Sequence, residues 1–279
     1  MTEETKIPID VVHLLPILDD KLMHLLRSLT SEEWQQQTMA KLWKVKDVVA
    51  HLLDGNIRSL SILRDHYSGE QVSINSYEEL VFFLNNLNAD WVKAMKRVSP
   101  AMLIALHQVT GKMYCAYNAS LDPFAEAGFA VAWSGEKKSK NWMHIAREYT
   151  EKWLHQQQIR EAVNKPALMT RELFYPFIDT FMLALPYTYR DTKAAEGTVV
   201  GVTISSSIGG NWYIKMNKGQ WNLTKEKEQA PHAEIIIDPC VAWKLFSKSI
   251  RPEEVKNKVV IKGNQQLGEI ALHMVSVMA

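Results

Sequence analysis

The hydrophobic period of this chain changes near residue 187, and that change most constrains the fold. Up to that point apolar residues recur every three or four positions, the spacing of helices with one buried face. Beyond Tyr189-Arg190-Asp191 they come in β-branched runs and alternate, as strands do. A first helix is expected over about residues 8–29, with Val12, Leu15, Leu18, Leu22, Leu25, Leu26 and Leu29 as its buried stripe and Pro16 kinking it or delaying its start. Thr30-Ser31-Glu32-Glu33 reads as a stop and a short turn, and Lys44-Val45-Lys46-Asp47 leads into a second long helix carrying His51. Further helices are expected over about residues 76–97, 100–118, 141–163 and 170–185, with Ser76 and Glu79 as a capping signature and Pro100 in a first turn.

In the second part, Thr198 to Ile204, the alternation of Trp212, Ile214 and Met216, the pair Trp221 and Leu223, residues 233–237 and 259–261 all read as strands. Asp238-Pro239 starts a helix, and residues 265–277 read as a last one with Leu267, Ile270, Ala271, Met274 and Val275 inward. The expected architecture is two domains. An all-α up-and-down four-helix bundle with a connecting helix occupies residues 1–187, and a small α+β domain occupies residues 188–279, with a linker over residues 188–197.

Composition narrows the partners. With 32 basic against 31 acidic residues, the chain has no electrostatic case for nucleic acid or an anionic membrane surface, so a small-molecule substrate is expected. No run of eighteen apolar residues occurs, and no membrane span is expected. The polar opening stretch Met1 to Lys6 is unlike a secretory leader, and Cys115 and Cys240 form no Cys-x-x-Cys pair, so a cytoplasmic protein is expected, monomeric or homodimeric.

The chemistry-bearing pattern is a set of histidines and carboxylates at helical spacing. Glu151 and His155 are four apart and therefore share a helix face, as do His144 and Glu148. His144 and His155 are separated by about 16 Å of helix rise, so one ion cannot use both. Spacing leaves both pairs open as partners for His51. Two imidazoles and a carboxylate would leave one position free on a tetrahedral ion, the catalytic arrangement. Asp47 and Asp54, near His51, are candidates to orient it.

Trp43-Lys44-Val45-Lys46-Asp47-Val48-Val49-Ala50-His51-Leu52 resembles the motif that opens the second helix of the mycothiol-dependent maleylpyruvate isomerase N-terminal family, one of the DinB-like metal-binding helical bundles. Glu151-Lys152-Trp153-Leu154-His155-Gln156-Gln157-Gln158-Ile159 resembles that family's Glu-x-x-x-His-x-x-Asp-Ile segment. The resemblance spans about residues 8–165 and implies His51, Glu151 and His155 as metal ligands. It departs at Gln158, where the family usually carries an acid. The second domain resembles the sterol-carrier-protein-like domain that follows the bundle in several such enzymes, with Gly263-Asn264 standing for the usual Gly-Asp. In that fold Trp212, Trp221 and Trp243 would either line an apolar cavity or form core.

The resemblance implies a divalent metal, zinc first and nickel as the alternative, and a low-molecular-weight thiol as cofactor. Thiol addition to a conjugated double bond, rotation and elimination gives cis-trans isomerisation, while addition alone gives S-transfer. Arg58 and Arg147 are the candidates to bind an anionic thiol or substrate. Two other readings compete: a non-catalytic metal- and ligand-binding module, and a metal-assisted hydrolase with Glu148 or another carboxylate as base.

Overall fold

In a computed structural model of the chain, which describes residues 6–67, 69 and 72–277, two compact units form. The opening stretch at residues 1–5 lies outside the described residues. One unit takes residues 1–128 and 140–167, and the other takes 129–139 and 168–279.

The first unit is helical: α1 (Leu15–Arg27), α2 (Val45–Ser59), α3 (Tyr77–Met95), α4 (Pro100–Ala119) and α5 (Asn141–Ala162). The α-helical part of the first segment begins at Leu15, after a 3-10 turn, because Pro16 lacks an N–H and suits only a first turn. The Asp47 carboxylate accepts from the Lys44 N–H at 3.0 Å and starts α2, so Asp47 is a helix cap and not an orienting partner of His51. Ser76 accepts from the Glu79 N–H at 3.1 Å and starts α3 as its spacing suggests. Both α4 and α5 pack against α1 and α2, while α3 lies on α2, where the Trp91 indole N–H donates to the Ala50 carbonyl at 2.8 Å.

Packing sets the rotation of α2. Val45, Val48, Val49, Leu52 and Leu53 are buried with Leu22, Leu26, Leu103 and Ile159. Turning α2 by one residue, about 100°, would bring several of them into water at roughly 1.5–3 kcal/mol each. The direction in which His51 leaves the helix is thereby fixed.

The polar face of α5 is not solvated. His144, Glu148, Gln156, Gln157, Gln158 and Arg160 are all buried, because neighbouring helices enclose α5. Several of their polar atoms find partners inside: the Gln156 amide donates to the Leu18 carbonyl at 2.9 Å, and Arg160 to the Lys21 carbonyl at 2.9 Å, while Gln157 Oε1 has none among the described residues.

The second unit holds α6 (Arg171–Met182), α7 (Leu185–Thr188), β1 (Val199–Ile204), β2 (Gly210–Asn217), β3 (Gln220–Thr224), β4 (Ala233–Ile237), α8 (Pro239–Phe246), β5 (Val259–Gly263) and α9 (Gln265–Glu269). The sheet order is β3-β2-β1-β4-β5, with β1 and β4 parallel and the other neighbours antiparallel. The helix α6 groups with the sheet in the second unit. Its Asp179 accepts from the Trp212 indole N–H of β2 at 2.8 Å and pairs with Lys225 at 2.6 Å. Pro186 ends the expected 170–185 helix early by opening the separate turn α7.

The last helix is also shorter than its apolar pattern suggests. After α9 and a 3-10 turn the chain extends from Met274, and Ser276 bonds the carbonyls of Phe246 and Phe181. Gly263 has φ +77°, and a Cβ there would stand 2.3 Å from the His232 carbonyl oxygen, so only glycine fits before the Asn264 cap of α9. Trp212, Trp221 and Trp243 are buried, and the N–H groups of the first two end on Asp179 and the Thr192 carbonyl, as core tryptophans do. Among the described residues no helix is long and apolar enough to cross a membrane.

Candidate metal centre

Three side chains from two helices converge. One ligand atom from each of His51, Glu151 and His155 lies within 4.8 Å of the others. A tetrahedral ion with bonds of about 2.0–2.2 Å separates its ligands by about 3.4 Å, so the three stand within about 1.4 Å of chelating distance. The two imidazole centroids are 4.6 Å apart, nearly perpendicular, and the Trp43 ring stands 4.7 Å from His51 and 6.2 Å from His155 as an apolar wall.

The donor set fits a cation. Nδ1 of His155 donates to the Gln158 amide oxygen at 2.9 Å, which leaves Nε2 with its lone pair facing the Glu151 carboxylate at 3.3 Å. Two acceptors at that distance call for a shared cation or proton. His51 Nδ1 is buried with no hydrogen-bond partner among the described residues. Burial, with the nearby charges of His155, Arg58 and Lys152, holds His51 well below its ordinary range, so its ring stays neutral and available as a ligand. Burial raises Glu151, but a proton shared with His155, the charge it gives that ring and the charge of Arg147 outweigh this and keep it a carboxylate.

The rival pair is engaged elsewhere. Glu148 pairs with Arg147 at 2.6 Å and accepts the Tyr114 hydroxyl of α4 at 2.5 Å. Burial pushes Glu148 up, yet Arg147, His144 and that hydroxyl together bring it down to about 2. Arg147 thus pairs with Glu148 and has His144 Nδ1 at 3.4 Å. Arg58 stands apart: it faces Asp54 at 3.7 Å, and its Nη1 has no hydrogen-bond partner among the described residues. Asp54 is therefore an arginine partner, not a support for His51. Lys152, beside Glu151 in sequence, turns inward to the Leu52 carbonyl at 3.2 Å and to the Asn56 amide oxygen. Sequence reading passed over Tyr114, Asn56 and Lys152; the same-face spacing of His107, Gly111 and Tyr114 was a signal for the interior polar cluster.

The family model of the mycothiol maleylpyruvate isomerase N-terminal domain matches residues 15–160, just over half of the chain and all three convergent side chains. The chain belongs to this family. Solved structures of a mycothiol-dependent maleylpyruvate isomerase and of a histidine-to-alanine mutant of it resemble this chain with TM-scores of 0.54 and 0.53 at 11% and 10% identity. Each covers 90% of this chain and 91% of its own, which is a likeness of fold across both units. No curated protein matches the sequence.

Within the maleylpyruvate isomerase family, the departure at Gln158 has a definite local meaning. An amide oxygen accepts the Nδ1 proton and orients His155 as a carboxylate would, without its charge. Gln158→Leu is expected to weaken divalent-metal binding about 10–100-fold, by isothermal titration, while Gln158→Glu retains it.

Two further buried histidines set a pH dependence. Burial lowers His144 and, despite its bond to the Val49 carbonyl, His107 to about 4. Between that value and the ordinary 6.5 the unfolded chain binds more protons than the folded one, so stability is whole above 6.5 and falls as pH falls. Denaturant unfolding should show a loss of about 2 kcal/mol per ring from pH 7 to pH 5; a flat profile would contradict the burial argument.

Proposed function

We propose that this protein is a divalent-metal-dependent enzyme that uses a low-molecular-weight thiol of the mycothiol type, acting as an isomerase or S-transferase on a small electrophilic substrate. The observation that carries this reading is the convergence of His51, Glu151 and His155 within 4.8 Å, inside the family-matched region. Zinc is the first choice of metal and nickel the alternative, since both accept imidazole and carboxylate ligands. A bound ion would supply Lewis acidity that brings a thiol's pKa toward neutrality.

The chain's own residues do the rest. His51 offers a neutral nitrogen, His155 is aimed by Gln158, and Glu151 contributes the negative charge. Trp43 covers both rings and keeps water from that side. The Nη1 of Arg58, which faces Asp54 at 3.7 Å and makes no hydrogen bond among the described residues, suits an anionic group on thiol or substrate. The finer architectural reading is a DinB-like up-and-down four-helix bundle of α1, α2, α4 and α5, followed by a sterol-carrier-like domain in a cytoplasmic monomer or homodimer. The mutual packing of those four helices supports its first part.

As the base of a hydrolase, Glu148 is unsuited. A carboxylate at about 2, held by Arg147 and Tyr114, is far too weak to take a proton from water. Metal analysis of the purified full chain, followed by incubation with mycothiol, glutathione or cysteine and an activated cis-alkene, tests the proposal. Stoichiometric metal and a thiol-dependent isomer or adduct are expected; absence of either overturns the reading.

A further inference from the structure

We propose that the interior of the helical unit holds a binding site for one water molecule, fixed by Asp19, His107 and Lys152 and independent of the metal centre. A narrow cavity of about 20 Å³ lies among α1, α2, α4 and α5, and these three residues line it. A single water needs about 10–15 Å³ of such space and two to four polar partners, so the cavity takes one and is too small for an organic ligand.

Each of the three has a bond to give. His107 is wholly buried, and one ring nitrogen, Nε2, donates to the Val49 carbonyl at 2.9 Å. Its Nδ1 therefore carries a lone pair, and that atom has no partner among the described residues. Asp19 reaches inward from α1 across Gly111 of α4. A Cβ at Gly111 would stand 2.2 Å from the Asp19 carboxylate, so the bare backbone is what admits it. Lys152 directs protons to Leu52 and Asn56 and lies 4.5 Å from the Tyr114 ring centroid. It attracts Asp19, yet among the described residues no ion pair within 4.0 Å joins the two.

Opposite charges lining one cavity without touching, beside a buried acceptor that lacks a donor, define the place of a bridging water. The water donates to His107 Nδ1 and to the Asp19 carboxylate and accepts from the Lys152 ammonium. It thereby ties α1 and α4 to the helix that carries Glu151 and His155.

A crystal structure of the full chain that shows ordered waters should contain one density peak within hydrogen-bonding distance of all three groups. An empty cavity, a direct Asp19–Lys152 pair that closes it, or a peak that leaves His107 Nδ1 untouched overturns the proposal. In solution, oxygen-17 relaxation dispersion counts long-lived waters. Asp19→Met, which fills the space, and Gly111→Ala, which displaces Asp19, should each lower that count by one; an unchanged count in either folded variant overturns the assignment.

Discussion

Replacing His155 with alanine is expected to abolish stoichiometric divalent-metal binding and, with it, the proposed thiol-dependent turnover, while the chain stays folded. The fold survives because His155 is a partly exposed side chain whose polar partners, Glu151 and Gln158, are on its own helix, while across helices it meets the rings of His51 and Trp43. Affinity falls by more than the roughly 10–100-fold expected for loss of a residue that only orients a ligand, because a donor atom itself is gone. His51→Ala should behave alike, since the two rings come from different helices and neither can replace the other. Metal content by mass spectrometry, set beside circular dichroism, checks both variants. Full metal occupancy in His155→Ala would mean that the convergent cluster is not the site.

Arg147→Ala is expected to destabilise the helical unit by about 3–5 kcal/mol, the largest stability effect foreseen for this chain. Arg147 balances Glu148, which is buried and has already given up water. Without the guanidinium, that carboxylate keeps only the Tyr114 hydroxyl and its attraction to His144 and Lys152. It then protonates or draws water into the core, and either response is unfavourable. Glu148→Gln in the Arg147→Ala background should recover part of the loss, because a neutral amide still accepts from Tyr114 and leaves no buried charge. Urea unfolding of the single and double variants measures this. Additive losses would show that the two side chains do not act as a pair.

The succession of helices and strands was legible because it rests on local rules. Ser76 and Pro100 at helix starts, Asp238 before Pro239 and the β-branched run of β1 mark elements through chemistry confined to a few neighbouring residues. The failures came where a distant partner intervened. Ser276 is drawn to the Phe246 and Phe181 carbonyls and stops what looked like a longer terminal helix. Asp179 joins α6 to the sheet through Trp212, a pairing that no local pattern announces.

The candidate site divides in the same way. Glu151 and His155 share a helix face by spacing, and the motif around His51 points to the family, so all three residues are legible in the sequence. Nothing in the linear pattern showed that the polar residues of α5 lie inside the protein, because helical periodicity reports which residues share a face and not what that face meets. Spacing alone left Glu148 and Glu151 open and the resemblance pointed to Glu151; folding adds the partners of each. Tyr114 from α4 and the ion pair with Arg147 occupy the first, while the second faces His51 from α2. Element type and ligand chemistry were written in short-range sequence; burial, pairing and the meeting of two helices about a hundred residues apart arise from packing, which acts between residues that the sequence does not place side by side.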